Sequence, residues 1–148
     1  MNTQLLNDTF RLLDELKSPV AGIALDICPE SLQELASVLE SSPLSPRRRS
    51  VLLALYALLV MARERHRDCS YQDADLTRRI LDGDYLYSLY LQSAVKFRET
   101  GLAAYVAPML KRQHIAFAEG RPAEENLALH FEAYLSGEHK PKQSVQAM

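Results

Sequence analysis

"SVLLALYALLVMA", Ser50 to Ala62, is the most apolar run in the chain, and the other elements are placed relative to it. It is about thirteen residues long, short of the roughly 20 that a membrane-spanning helix needs. That length predicts a helix buried in a protein core. Just upstream, "SSPLSP" reads as a linker in which Ser45 can cap and Pro46 can take the first helical position. The helix is therefore expected to start at Pro46 and run to about Asp68. Its first half is apolar almost all round, while its second half, "ARERHRD", is charged. One end should be central and the other wet.

Outward from this helix, periods of 3.6 residues recur and strand alternation does not. Leu5, Leu6, Phe10, Leu13 and Leu16 line one face of a first helix over about 3–17. "SPVAGIALDICPE" follows with Pro19, Gly22 and Pro29 as breakers, and its "AGIALDI" centre fits either a short helix or an extended packing segment. "ESLQELASVLES" predicts a short second helix with Leu32, Leu35 and Leu39 inward. After the long helix, "CSYQDADL" is a break with Asp73 or Asp75 as cap, and a helix over about 76–99 ends at "ETG" with Gly101 as C-cap. A fifth helix is expected over 102–119, stopped by Gly120, and a sixth over 122–136, begun by Pro122 and stopped by Gly137. The expected whole is an all-α, single-domain bundle of about six helices over residues 1–136, with 137–148 as a mobile polar tail.

A chain of 148 residues suits one domain with a real core. Net charge −2 leaves no global basic footprint for nucleic acid. Cys28 and Cys69 match no metal or redox spacing and suit a reducing compartment as packed thiols. The N-terminus, "MNTQLLNDTFRLLDELK", carries acids and a helical pattern in place of a basic region followed by an apolar block, which points to a cytoplasmic protein.

Few residues carry catalytic chemistry. Asp82 and Asp84, two apart on a helix, point about 200° from each other and cannot chelate one ion together. Asp73 and Asp75 read as helix caps. His66, His114, His130 and His139 show no metal-ligand spacing, Ser88 and Ser93 have no neighbouring base, and there is no Gly-rich phosphate loop. Arg47, Arg48 and Arg49 are the main charge anomaly, because the macrodipole disfavours cations in a first helical turn by roughly 0.3–1 kcal/mol each. Either an anion or acidic partner surface, or a solvated helix start beside Glu40, would account for them.

"ILDGDYLYSLYLQ", Ile80 to Gln92, is the other unusual stretch. Leu81, Tyr85, Leu89 and Gln92 share one helical face, Leu86, Tyr90, Ala94 and Phe97 another, and Tyr87 and Leu91 fill a third. Tyrosine combines apolar area with a polar tip and is enriched at protein interfaces. Asp82, Gly83, Asp84, Tyr85 and Tyr87 are therefore expected at a partner interface. Gly83 marks a place where another backbone comes close, against a helix cost of about 1 kcal/mol.

"LDGDYLYSLYLQSAVKF" followed by "YVAPMLKRQHIAFAEG" resembles the trans-type polyprenyl diphosphate synthases. In that all-α family a Gly-Asp-Tyr/Phe-Leu segment opens one helix of the bundle, and the next ends in a small residue plus Glu-Gly, here Ala118, Glu119 and Gly120. The likeness covers about residues 50–136. Catalytic members carry a DDxxD motif on the preceding helix, where this chain has Ala62-Arg63-Glu64-Arg65, and a second Asp-rich motif further downstream. The resemblance is therefore to the small, non-catalytic component of two-component hexaprenyl and heptaprenyl diphosphate synthases, with a reduced isoprenoid-synthase-like bundle. It implies a partner prenyltransferase chain that carries both Asp-rich motifs and Mg²⁺, with no cofactor in this chain. It also implies a regulatory role in menaquinone side-chain biosynthesis, with an influence on product length. Leu86, Tyr90 and Phe97 are then the residues expected to meet the growing polyprenyl tail. Two other readings stay open: a self-associating helical interaction protein, and a bundle that holds an apolar ligand.

Overall fold

The computed structural model describes residues 3–18, 22–23, 25–67, 74–122 and 125–139. Cys69, Asp73 and residues 140–148 of the expected tail lie outside them. Among the described residues the chain forms six α-helices and no strand: α1 (Thr3–Leu16), α2 (Gln33–Glu40), α3 (Pro46–Arg67), α4 (Leu76–Lys96), α5 (Thr100–Ala118) and α6 (Leu127–His139), with a 3-10 turn at Pro29–Leu32. This is the expected all-α bundle.

α3 is its axis. Every residue from Ser50 to Ala62 is buried, which is why this helix lacks a polar face there. It packs most extensively on α4 and then on α1. From α6, Phe131 meets Tyr56 edge-on at 5.5 Å between ring centroids. No described helix is long and apolar enough to cross a membrane. On α1, Leu5, Leu6, Leu12 and Leu13 are buried, while Phe10 and Leu16 pack at the margin of the core. Residues 25–28 are not helical, and Ile23, Leu25 and Ile27 pack on the core, so the ambiguous segment is a packing segment.

Helix ends depart from expectation at the end of α4, the start of α5 and both ends of α6. α4 stops at Lys96 in a Schellman motif: Arg98 N–H donates to Val95 O at 3.2 Å and Glu99 N–H to Ala94 O at 2.7 Å. The left-handed residue there is Arg98 (φ 60°), not glycine. Gly101, expected as that C-cap, instead lies in the first turn of α5, where the Tyr134 hydroxyl occupies the space a side chain would take. α6 begins at Leu127 and not at Pro122, because Asn126 caps it: its Oδ1 accepts from Leu129 N–H at 3.2 Å. Gly137 does not stop α6, which continues to His139. Gly120, as expected, ends α5, with φ 69° and the same pair of hydrogen bonds, Gly120 N–H to Phe117 O and Arg121 N–H to Ala116 O.

The three arginines opening α3 each have a partner inside the chain. Arg48 donates to both Glu99 carboxylate oxygens at 2.9 and 3.0 Å and to Glu138 at 2.9 Å. Those bonds hold its guanidinium firmly protonated, Glu99 contributing most. Arg49 donates to Ser42 O at 2.7 Å. Arg47 lies over the Phe97 ring, 5.4 Å from its centroid. Two carboxylates thus offset the unfavourable dipole, and they come from the α4–α5 junction and from α6 rather than from Glu40. Glu99 is itself buried, so Arg48 ties three parts of the bundle together.

Candidate functional site

The Gly-Asp-Tyr segment sits just before the midpoint of α4, facing the C-terminal part of α3. Gly83 is buried, and a Cβ there would overlap the imidazole of His66. The close approach it permits is thus made inside the chain, by a side chain of α3. His66 Nε2 is 3.1 Å from Asp84 Oδ1 and 3.3 Å from Ile80 O. Asp82 faces Arg78, one turn back, with 3.9 Å between Nε and Oδ2. The two aspartates therefore serve different partners, as their opposed directions on the helix require.

The tyrosines are divided in the same way. Tyr85 Oη accepts a hydrogen bond from Ser18 N–H at 3.0 Å, tying α4 to the segment after α1. Tyr87 is half-buried, its ring 5.9 Å from that of Tyr90 and 6.0 Å from that of His114. Tyr90 is 1% exposed, and its hydroxyl has no hydrogen-bond partner among the described residues. Burial, and then the neighbouring Tyr87, push that phenol well above its ordinary value. Leu86 is fully buried beside it on the same face. Phe97, at the C-cap, is only partly buried and lies between Arg47 and Lys96, each 5.4 Å from its ring centroid. Of the residues expected to meet a polyprenyl tail, Leu86 and Tyr90 are closed inside this chain's own core and Phe97 reaches its surface.

Sequence spacing hid one association. His66 on α3 and His114 on α5 are 48 positions apart, yet their rings meet edge-on at 6.0 Å. With Asp84 and Tyr87 they link α3, α4 and α5. Burial holds His114 below its ordinary value, the adjacent His66 adds to that, and Asp84 opposes it. Among the described residues no group of three or more His, Cys, Asp or Glu is arranged to hold a metal ion.

The outward side of α4 carries apolar residues as well. Ile80 (41%), Leu81 (60%), Leu91 (41%) and Val95 (66%) are exposed. At about 100° per residue, Ile80, Leu91 and Val95 fall within about 60° around the axis and Leu81 about 40° further on. The buried residues Gly83, Leu86, Leu89, Tyr90, Ser93 and Ala94 span an arc whose centre lies about 160° around the axis from that of the exposed set. α4 is thus apolar on two sides, and its own bundle covers one of them. Compared with known protein families, curated proteins and solved structures, the chain matches none.

Proposed function

We propose that this chain is the non-catalytic regulatory subunit of a cytoplasmic two-component trans-polyprenyl diphosphate synthase. Its partner is a DDxxD-bearing prenyltransferase chain that supplies Mg²⁺ and makes quinone side chains. One structural observation carries the reading: the uncovered apolar side of α4, the helix that holds the family-like segment. Scattered exposed apolar residues are ordinary on protein surfaces. Four on one side of one helix, opposite a fully packed side, form the stripe that a second helix would cover. The partner seam is therefore assigned to Ile80, Leu81, Leu91 and Val95, with Asp84 within it and Tyr87 at its edge. Gly83, Asp82 and Tyr85 shape α4 from within. An influence on product length then acts through Phe97, since Leu86 and Tyr90 do not reach the surface.

The test combines the purified chain with a DDxxD-containing synthase chain from the same organism. Expected results are no turnover by either chain alone, a complex on size-exclusion chromatography, and Mg²⁺-dependent chain elongation by the mixture. Leu91→Glu with Val95→Glu should abolish the complex and leave helical circular dichroism unchanged, because both side chains are already exposed. Phe97→Ala in an intact complex should lengthen the product. A stable homodimer with no affinity for the synthase overturns the reading. It would favour the second one, a helical protein that self-associates through the same side of α4.

A further inference from the structure

A cationic cleft lies at the far end of the bundle from the Arg48 network, between the C-terminal half of α3 and the turn that follows α5. Arg63 and Arg67 are one helical turn apart and share a face of α3. Arg121 comes from just beyond the end of α5. Together they line a cleft of about 730 Å³ whose apolar wall includes Tyr56, Phe117 and Leu127. A second cleft of about 580 Å³ shares Arg67, Phe117, Gly120 and Arg121 with it and continues over Leu76 and Ile80. The first chamber thus holds three guanidiniums and the second two of the same three, with Leu76 and Ile80 added to its wall and Phe117 shared by both.

The carboxylates on the wall have partners of their own. Glu125 is gripped by Arg112 at 2.7–3.1 Å, with His130 at 3.7 Å. Glu34 accepts from Asn126 Nδ2 at 3.4 Å. Arg121 meets Glu119 in a pair whose side chains are both more than half exposed, and such pairs hold weakly. The α3 dipole accounts for Arg67, in the last turn, but not for Arg63, which precedes that turn. Arg63 is half-buried, and among the described residues it makes no hydrogen bond or ion pair; its charge acts on the nearby Tyr56 phenol.

We infer that this double cleft binds a small amphiphilic organic phosphate. The phosphate sits among Arg63, Arg67 and Arg121, and a short apolar chain lies over Phe117 and Leu76. Guanidinium forks suit phosphate oxygens, and the volumes fall in the range of small-molecule sites. The inference is independent of the proposed assembly and is tested on this chain alone.

Isothermal titration calorimetry at low salt would compare three probes: inorganic phosphate, octyl phosphate below its micelle concentration, and phosphatidic acid–phosphatidylcholine vesicles. Octyl phosphate should bind one per chain and at least tenfold more tightly than inorganic phosphate. Arg63→Gln should weaken it at least tenfold with unchanged circular dichroism. Leu76→Gln should narrow the gap between octyl and inorganic phosphate while leaving inorganic phosphate as it was. Three results would overturn the inference: no saturable binding of octyl phosphate, equal binding by wild type and Arg63→Gln, or binding to vesicles alone, which would mean adsorption to a charged surface.

Discussion

Gly83 shows how a single missing side chain sets helix spacing. In the interior of α4 it costs about 1 kcal/mol relative to alanine, and in exchange His66 fits against the helix. The ring cannot swing aside freely, because Asp84 and Ile80 O hold its Nε2. Gly83→Ala should therefore destabilise the chain by about 1–2 kcal/mol, the overpacking cost exceeding the helix gain. In a His66→Ala background the same change should stabilise by about 1 kcal/mol. Urea denaturation of the four proteins of this cycle decides the matter, and an unchanged sign would place the constraint elsewhere. Tyr90 presents the converse problem, a polar atom too many. Its hydroxyl is buried without a partner among the described residues, so Tyr90→Phe should raise stability by roughly 1 kcal/mol. A fall in melting temperature would reveal a partner for that oxygen. The sequence placed Tyr90 on one face with Leu86, Ala94 and Phe97, and that face exists. Periodicity could not say whether it pointed to a partner or to α3, because both kinds of contact demand the same apolar residues.

Helix ends were legible only where the residue type matched the backbone it had to adopt. Gly120 ends α5 in a left-handed conformation, the usual solution. α4 ends by the same hydrogen-bond pattern with Arg98 in the left-handed position, so no glycine signalled it and Gly101 drew the boundary too far along. Left-handed backbone costs a non-glycine residue about 1–2 kcal/mol. Arg98→Gly should recover about 1 kcal/mol of this, measured by thermal denaturation; no gain would mean that Arg98 contributes compensating contacts. Likewise Asn126 capped α6 where Pro122 gave the stronger sequence signal. The contact of α3, α4 and α5 at His66 and His114 was not legible at all, since it depends on how three helices cross. It does predict a pH response. His114 is held below the ordinary histidine value of 6.5, so the unfolded chain takes up this proton more readily than the folded one. Its contribution is fully present above pH 6.5 and is lost as pH falls from there through the lower folded-state value. His114→Gln should flatten the fall in stability over that acidic window, and a slope equal to wild type would exclude His114 as its source.

At the scale of the molecule, the fold followed from one decision about Ser50–Ala62. Thirteen consecutive buried residues leave that stretch of α3 no route to solvent, so the remaining helices must surround it. What composition could not reveal is where covering ends: α4 closes over α3 and then presents Ile80, Leu81, Leu91 and Val95 to the outside. A helix buried on every side also has a consequence in time. Its backbone amides cannot meet water by local fraying, because no face of it can lift away without dismantling the helices around it. In native-state hydrogen exchange the amides of Leu53 to Val60 should therefore be the last to exchange, with an opening free energy equal to that of global unfolding. Those of α6, a short helix docked at the periphery, should exchange earlier. Faster exchange in α3 than in α6 would mean that the bundle opens around its axis before its edge.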